Sequence, residues 1–182
     1  MKVLIIVDVQ KDFIDGTLGT NEAVLIVDGI VKRVKTSYNE LILFTQDTHG
    51  NDYLKTDEGQ KLPVVHCIEG TQGWQINELV KEAWQNNKNT IVINEISENT
   101  FKKHTFGSIE LANFLKSMED KVTEIEMLGI CTDICVISNA IILKNSMPTT
   151  KISINSSLCA GTSPKSHAEA LNIMKMCHID IN

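Results

Sequence analysis

Reactive side chains recur just past the short apolar runs of this sequence. Asp8 follows Val3–Val7; Asp47 and His49 follow Leu41–Phe44; Lys102, Lys103 and His104 come after Thr90–Ile93; Cys131, Asp133 and Cys135 come after Val122–Leu128. A carboxylate, a lysine and a thiol in one place make a nucleophilic set: the acid accepts the thiol proton, the cation holds the thiolate, and sulfur attacks a carbonyl carbon. Cys135 lies near the start of a stretch, Asp133–Leu143, that reads as a buried helix, where unpaired N–H groups and the helix dipole lower a thiol pKa. In such a set the acid replaces the histidine base of papain-like enzymes. Each residue alone also has a plain structural role. An Asp after a strand commonly bonds a turn, paired lysines are usually solvated, and a buried free cysteine is usually a small core filler.

For these groups to meet, the apolar runs must be neighbouring strands with the reactive residues at one edge. The runs Val3–Val7, Leu41–Phe44, Thr90–Ile93, Val122–Leu128 and Lys151–Ile154 are continuous rather than alternating, which suits strands covered on both faces. Helix-period stretches separate them. Ala23–Lys35 puts Val24, Val27, Ile30, Val31 and Val34 on one face; Asn77–Trp84 is similar, and Ser108–Met118 turns Leu111, Phe114 and Leu115 inward. Ser163–Met176 opens with a Ser N-cap and Pro164 at the first helical position. The expectation is a doubly wound α/β fold with a mostly parallel sheet and helices on both faces, closed by a short strand in the final HIDI. In such sheets ligands bind beyond the carboxyl ends of the strands. The stretch from Gln46 to Trp74 has neither period and holds two of the five histidines, so it reads as an ordered functional loop. Asp47 and His49, two apart on an extended segment, face one way.

Composition narrows the classes. The 182 residues suit one domain over 1–182, and a net charge of −6 argues against non-specific nucleic-acid binding. No apolar run approaches the roughly 20 residues that span a bilayer, and MKVLIIVDVQKDF has too few apolar residues for a signal-peptide core. The five cysteines are odd in number and include no CxxC pair, so neither a disulfide framework nor a Cys-rich zinc module is suggested. A soluble cytoplasmic protein is expected, with no nucleic-acid or membrane partner.

Four blocks carry a family resemblance: VLIIVDVQKDF, FKKHTFGS, LGICTDICVISNA and SINSSLCAGTSPKSHAEAL. Together they resemble the isochorismatase-like cysteine hydrolases. The segment QDTH followed by PVVHCIEGTQGW is similar to the nicotinamidase/pyrazinamidase branch of that family. The resemblance implies Asp8, Lys103 and Cys135 as the catalytic set, with Lys102 one position off register. It implies an oxyanion hole from the backbone N–H groups of Cys131 and Cys135, beside a cis peptide between Ile130 and Cys131. It further implies a divalent metal, Zn²⁺ or else Fe²⁺ or Mn²⁺, on Asp47, His49 and His66 with Glu58 a weaker fourth ligand, and Phe13 as a ring-stacking contact. The activity implied is conversion of a small amide, nicotinamide, to its acid with release of ammonia through a thioester on Cys135, hence a place in NAD salvage; a homo-oligomer is expected. The chain departs from the branch at Pro63, where an aromatic residue is usual, at Trp74 after GTQG, and in a short segment after Lys103. Two other readings stay open: a metal-free relative acting on a carbamoyl or ureido amide or an enol ether, and a non-catalytic binding protein on the same fold.

Overall fold

The computed structural model of the chain describes residues 1–93 and 96–182. The apolar runs build one sheet from β1 (Lys2–Val7), β2 (Glu40–Asp47), β3 (Thr100–Lys103), β4 (Glu124–Ile130), β5 (Lys151–Ala160) and β6 (Asp180–Ile181). The order is β3-β2-β1-β4-β5-β6 and every pairing is parallel. Val3 to Val7 are all buried, as continuous apolar runs in the middle of a two-sided sheet must be.

The third strand is not the run that the sequence suggested. Thr90–Ile93 touches the sheet through a single bridge, Ile91 to Leu41, and leaves Val92 exposed. The strand forms ten residues later, at Thr100–Lys103, where burial alternates: Phe101 and Lys103 point in and Lys102 points out. An edge strand whose second inward residue is a lysine carries no apolar signature. Lys103 therefore sits in a strand rather than after one.

Among the described residues seven helices link the strands: α1 (Lys11–Ile14), α2 (Asn21–Lys35), α3 (Asp57–Lys61), α4 (Glu78–Asn86), α5 (Ile109–Ser117), α6 (Ile137–Ser146) and α7 (Pro164–Met176). Their starts follow the capping chemistry in the sequence. Thr20 accepts from Ala23 N, Ser108 from Leu111 N, and Ser163 forms a reciprocal capping box with Ser166. The buried face of α2 is Ala23, Ile26, Val27, Ile30 and Val34, so Val24 turns to solvent, one position off the expected stripe. Right-handed crossovers in this strand order place α2 and α4 on one face and α5, α6 and α7 on the other. The strand order switches direction between β1 and β4, the point at which sheets of this kind bind ligands beyond the carboxyl ends. Among the described residues no helix is long and apolar enough to cross a membrane.

Candidate active site

The carboxyl ends of β1, β2, β3 and β4 deliver Asp8, Asp47, Lys103 and, through a single π-helical turn at Thr132–Val136, Cys135. The backbone of Asp8 is left-handed (φ 46°), which turns its side chain off the strand end; a short polar side chain tolerates that conformation. Lys103 Nζ stands 2.7 Å from Asp8 Oδ2, 3.0 Å from Asp47 Oδ1 and 3.4 Å from Cys135 Sγ. Asp8 Oδ1 accepts from Thr45 Oγ1 at 2.7 Å, while buried Oδ2 accepts no well-formed hydrogen bond among the described residues. Each of these side chains is almost wholly shielded from water.

Burial sets the proton affinities and the charges adjust them. Desolvation raises the Asp8 carboxyl above its ordinary value, against the pull of Lys103. Burial would lower Lys103, but Asp8, Cys135 and Asp47 outweigh it and keep the ammonium charged. The thiol differs from the expectation. Burial and the neighbouring Asp8 charge raise Cys135 well above a free thiol, more than Lys103 lowers it. Burial and the Asp8 charge thus work against the helix start, and Asp8, a carboxylate whose basicity burial raises, is the neighbouring acceptor for the thiol proton.

A second cluster adjoins the first. Asp47, His49 and His66 bring ligand atoms within 4.8 Å of one another, all three residues buried. His49 Nε2 is 2.9 Å from Asp47 Oδ2 and, among the described residues, is a buried nitrogen with no well-formed hydrogen bond. His66 Nδ1 lies 2.8 Å from the Val64 carbonyl; donating there leaves Nε2 with its lone pair toward the cluster, 3.7 Å from Asp47 Oδ2. Two imidazole nitrogens and a carboxylate oxygen brought together in a buried place are a donor set that fits a divalent ion. Glu58, on α3, holds Oε1 3.8 Å from both Nε2 atoms, next to the trio but farther out. For Asp47 itself, burial raises the carboxyl, and His49 and Lys103 bring it below the ordinary value.

Phe13 packs its ring 5.5 Å from that of His66. Cys131 precedes the nucleophile turn, and the Ile130–Cys131 peptide is cis. Lys102 leaves the site: its ammonium pairs with Glu69 at 2.7 Å and lies over the Trp74 ring. His104 bonds the Thr48 carbonyl, and Asp133 accepts from Thr162.

Four supporting residues had no signal in type and spacing. Gln10, fully buried, bonds the N–H and C=O of Asp47 and the Trp74 carbonyl. Tyr53 packs its ring tilted against His49 at 4.7 Å and edge-on to His66 at 5.0 Å and donates to the Leu62 carbonyl. Asn139 donates to the carbonyls of Cys135 and Phe106 and accepts from Ser108 N–H, tying the nucleophile turn to the chain beyond Lys103. Thr45 holds Asp8. A buried amide such as Gln10 or Asn139 is detectable in sequence only as a polar residue among apolar ones.

A family model described as Isochorismatase domain matches residues 2–180. The nicotinamidase of Schizosaccharomyces pombe is 25% identical over 207 residues, covering 98% of this chain and 91% of that protein. The crystal structure of pyrazinamidase/nicotinamidase from Streptococcus mutans UA159 matches with a TM-score of 0.78 and 27% identity, covering 100% of both chains. The crystal structure of nicotinamidase PncA from Bacillus subtilis gives 0.77 and 27%, covering 99% of this chain and 98% of that one.

Proposed function

The chain belongs to the isochorismatase family, and from that premise we propose that residues 1–182 form a nicotinamidase-type amidase that converts nicotinamide to nicotinate and ammonia. It is a hydrolase of amide C–N bonds. The observation that carries the finer reading is the sharing of Asp47: one oxygen faces the lysine of a thiol–lysine–acid set and the other faces two histidines. A nucleophile beside a metal donor set suits an amide attached to a ring that a metal or a metal-held water orients.

The chemistry assigned to the residues is as follows. Asp8 removes the Cys135 proton as sulfur attacks the amide carbon, and the Lys103 ammonium beside both holds the developing thiolate. The backbone N–H groups of Cys131 and Cys135 receive the tetrahedral oxyanion. Asp8 returns the proton to the departing nitrogen, so the C–N bond breaks, ammonia leaves and the acyl group stays on sulfur. Water then adds to the thioester with Asp8 again as base; the C–S bond breaks, the acid leaves and the thiol regains its proton. Asp47, His49 and His66, with Glu58 beside them, would hold a divalent ion, Zn²⁺ or else Fe²⁺ or Mn²⁺, which would supply a Lewis-acidic centre near the substrate ring. Phe13 offers a ring face to an aromatic substrate.

The test is ammonia release from nicotinamide, pyrazinamide and a panel of carbamoyl and ureido amides by the metal-loaded protein. Nicotinate and ammonia in equal amounts, lost in Cys135→Ala, are expected. Turnover of a ureido amide with none of nicotinamide would overturn the substrate, and full activity of Cys135→Ala would overturn the mechanism.

A further inference from the structure

Gln10 follows the catalytic acid by two residues and is the only side chain among the described residues that bonds both backbone groups of Asp47. Its Oε1 accepts from Asp47 N–H at 2.7 Å, and its Nε2 donates to the Asp47 carbonyl at 2.9 Å and to the Trp74 carbonyl at 2.8 Å. The amide thus uses its acceptor and both donor hydrogens, with no exposure to water. The residue so held is the hinge of the whole site. Asp47 Oδ1 is 3.0 Å from Lys103 Nζ, which reaches the thiol at 3.4 Å, and Asp47 Oδ2 is 2.9 Å from His49 Nε2. A peptide fixed at both N–H and C=O leaves the carboxylate only its own rotamers, so neither oxygen can move without the other.

We propose that Gln10 is a positioning residue: by fixing the Asp47 backbone it aims one oxygen of that carboxylate at the lysine and the other at the metal, so that metal affinity and nucleophile reactivity depend on the same three hydrogen bonds. Glutamine is specific to this role. Glutamate keeps the shape and the bond from Asp47 N–H but cannot donate to the two carbonyls when ionised; methionine keeps the bulk and makes none of the bonds. Gln46 supplies an internal control, because its Nε2 donates to the same Trp74 carbonyl at 2.9 Å while its side chain makes no hydrogen bond to the Asp47 backbone among the described residues. The metal half of the proposal rests on the reading of Asp47, His49 and His66 as ligands; the lysine half does not.

The experiment measures Zn²⁺ affinity by calorimetry, kcat and KM for nicotinamide, and the alkylation rate of Cys135 by iodoacetamide in metal-free protein, each for wild type, Gln10→Glu, Gln10→Met and Gln46→Ala. Loss of a bond that orients a ligand lowers metal affinity about 10- to 100-fold. That loss is expected in both Gln10 variants, with kcat falling more than KM changes and with slower alkylation even without metal. Gln46→Ala is expected within about twofold of wild type in Zn²⁺ affinity. Folded Gln10 variants that bind Zn²⁺ and alkylate as wild type does would overturn the proposal, as would an equal loss in Gln46→Ala. Should Gln10→Met fail to fold, Gln10→Glu with its retained shape decides. Wild type that takes up no Zn²⁺ sinks the metal reading alone, and the metal-free alkylation rates still decide the role of Gln10.

Discussion

Lys103 Nζ stands 3.4 Å from Cys135 Sγ, while Lys102, its neighbour in sequence, pairs with Glu69 on the protein surface. The pleat of β3 makes the difference, since successive side chains of a strand point to opposite faces. Lys103→Ala is therefore expected to lower kcat by at least about 100-fold, the scale of one positioned charge in a closed site, and to slow alkylation of Cys135 at neutral pH. Lys102→Ala loses an exposed ion pair of little energetic weight and is expected to keep near-normal kcat. Steady-state assays on the two variants check both, and the reverse pattern would refute the register.

Removal of the metal donors should separate binding from folding. His49 and His66 lie among Tyr53 and Phe13 in a packed aromatic group, so asparagine or glutamine replacements disturb packing less than alanine. His49→Gln, His66→Asn and Asp47→Asn are each expected to reduce bound Zn²⁺ to well below one per chain by elemental analysis. Chelation of the wild type is expected to reduce ammonia release, and added Zn²⁺ to restore it. A chelated protein with full activity would instead place the chain among metal-independent amidases.

Most of the fold was legible because parallel strands covered on both faces are written as continuous apolar runs. Val3–Val7 is the clearest case, and the Ser163 cap with Pro164 behind it marked a helix start directly. The third strand was not legible: Thr90–Ile93 is apolar yet makes only a bridge, while Thr100–Lys103 is a strand with a buried lysine. That lysine is tolerated only because Asp8 and Asp47 surround it, a fact of tertiary structure. Asp8 and Cys135 stood out by type and position. The upward pull of burial and of the Asp8 charge on the Cys135 thiol did not, because it comes from tertiary surroundings rather than from the helix start. Gln10 and Asn139 were invisible for the same reason: their worth lies in partners far away in sequence.

Away from the site, Arg33 on α2 pairs with Glu126 at 2.8 Å and Glu40 at 2.9 Å, and Asn155 also donates to Glu126. Burial raises the Glu126 carboxyl, but these hydrogen bonds outweigh it and hold it below its ordinary 4.5. A carboxyl whose folded value is depressed stabilises the fold above its unfolded value and loses that contribution as pH falls through the folded one. Glu126→Gln is expected to destabilise the protein at pH 7 by about 2 kcal/mol, the scale of a lost charged hydrogen bond. The gap should shrink as pH is lowered below 4.5. Denaturant titrations at several pH values check this; a gap independent of pH would mean that packing, not charge, is what Glu126 contributes.

The pH profile tests the acid–base role of Asp8 most directly. Asp8 must be ionised to take the thiol proton, so activity rises with pH as its carboxyl deprotonates. Burial lifts that carboxyl above 3.8 against the opposing charge of Lys103, and the acid limb of kcat/KM is expected above the ordinary aspartate value. Thr45 Oγ1 donates to Asp8 Oδ1 at 2.7 Å, and a bond given to the ionised form favours it. Thr45→Val keeps the shape and removes the donor, so the limb should move to higher pH. A hydrogen bond worth about 0.5–1.5 kcal/mol corresponds to a shift of roughly half to one pH unit. Asp8→Asn should abolish the limb together with turnover. Its thiol should still alkylate, and faster than wild type at neutral pH, because the Asp8 charge that raises Cys135 is gone while Lys103 remains. Slower alkylation in Asp8→Asn would mean that Asp8 acts chiefly by holding Lys103 in place, and a limb unmoved by Thr45→Val would assign it to a group other than Asp8.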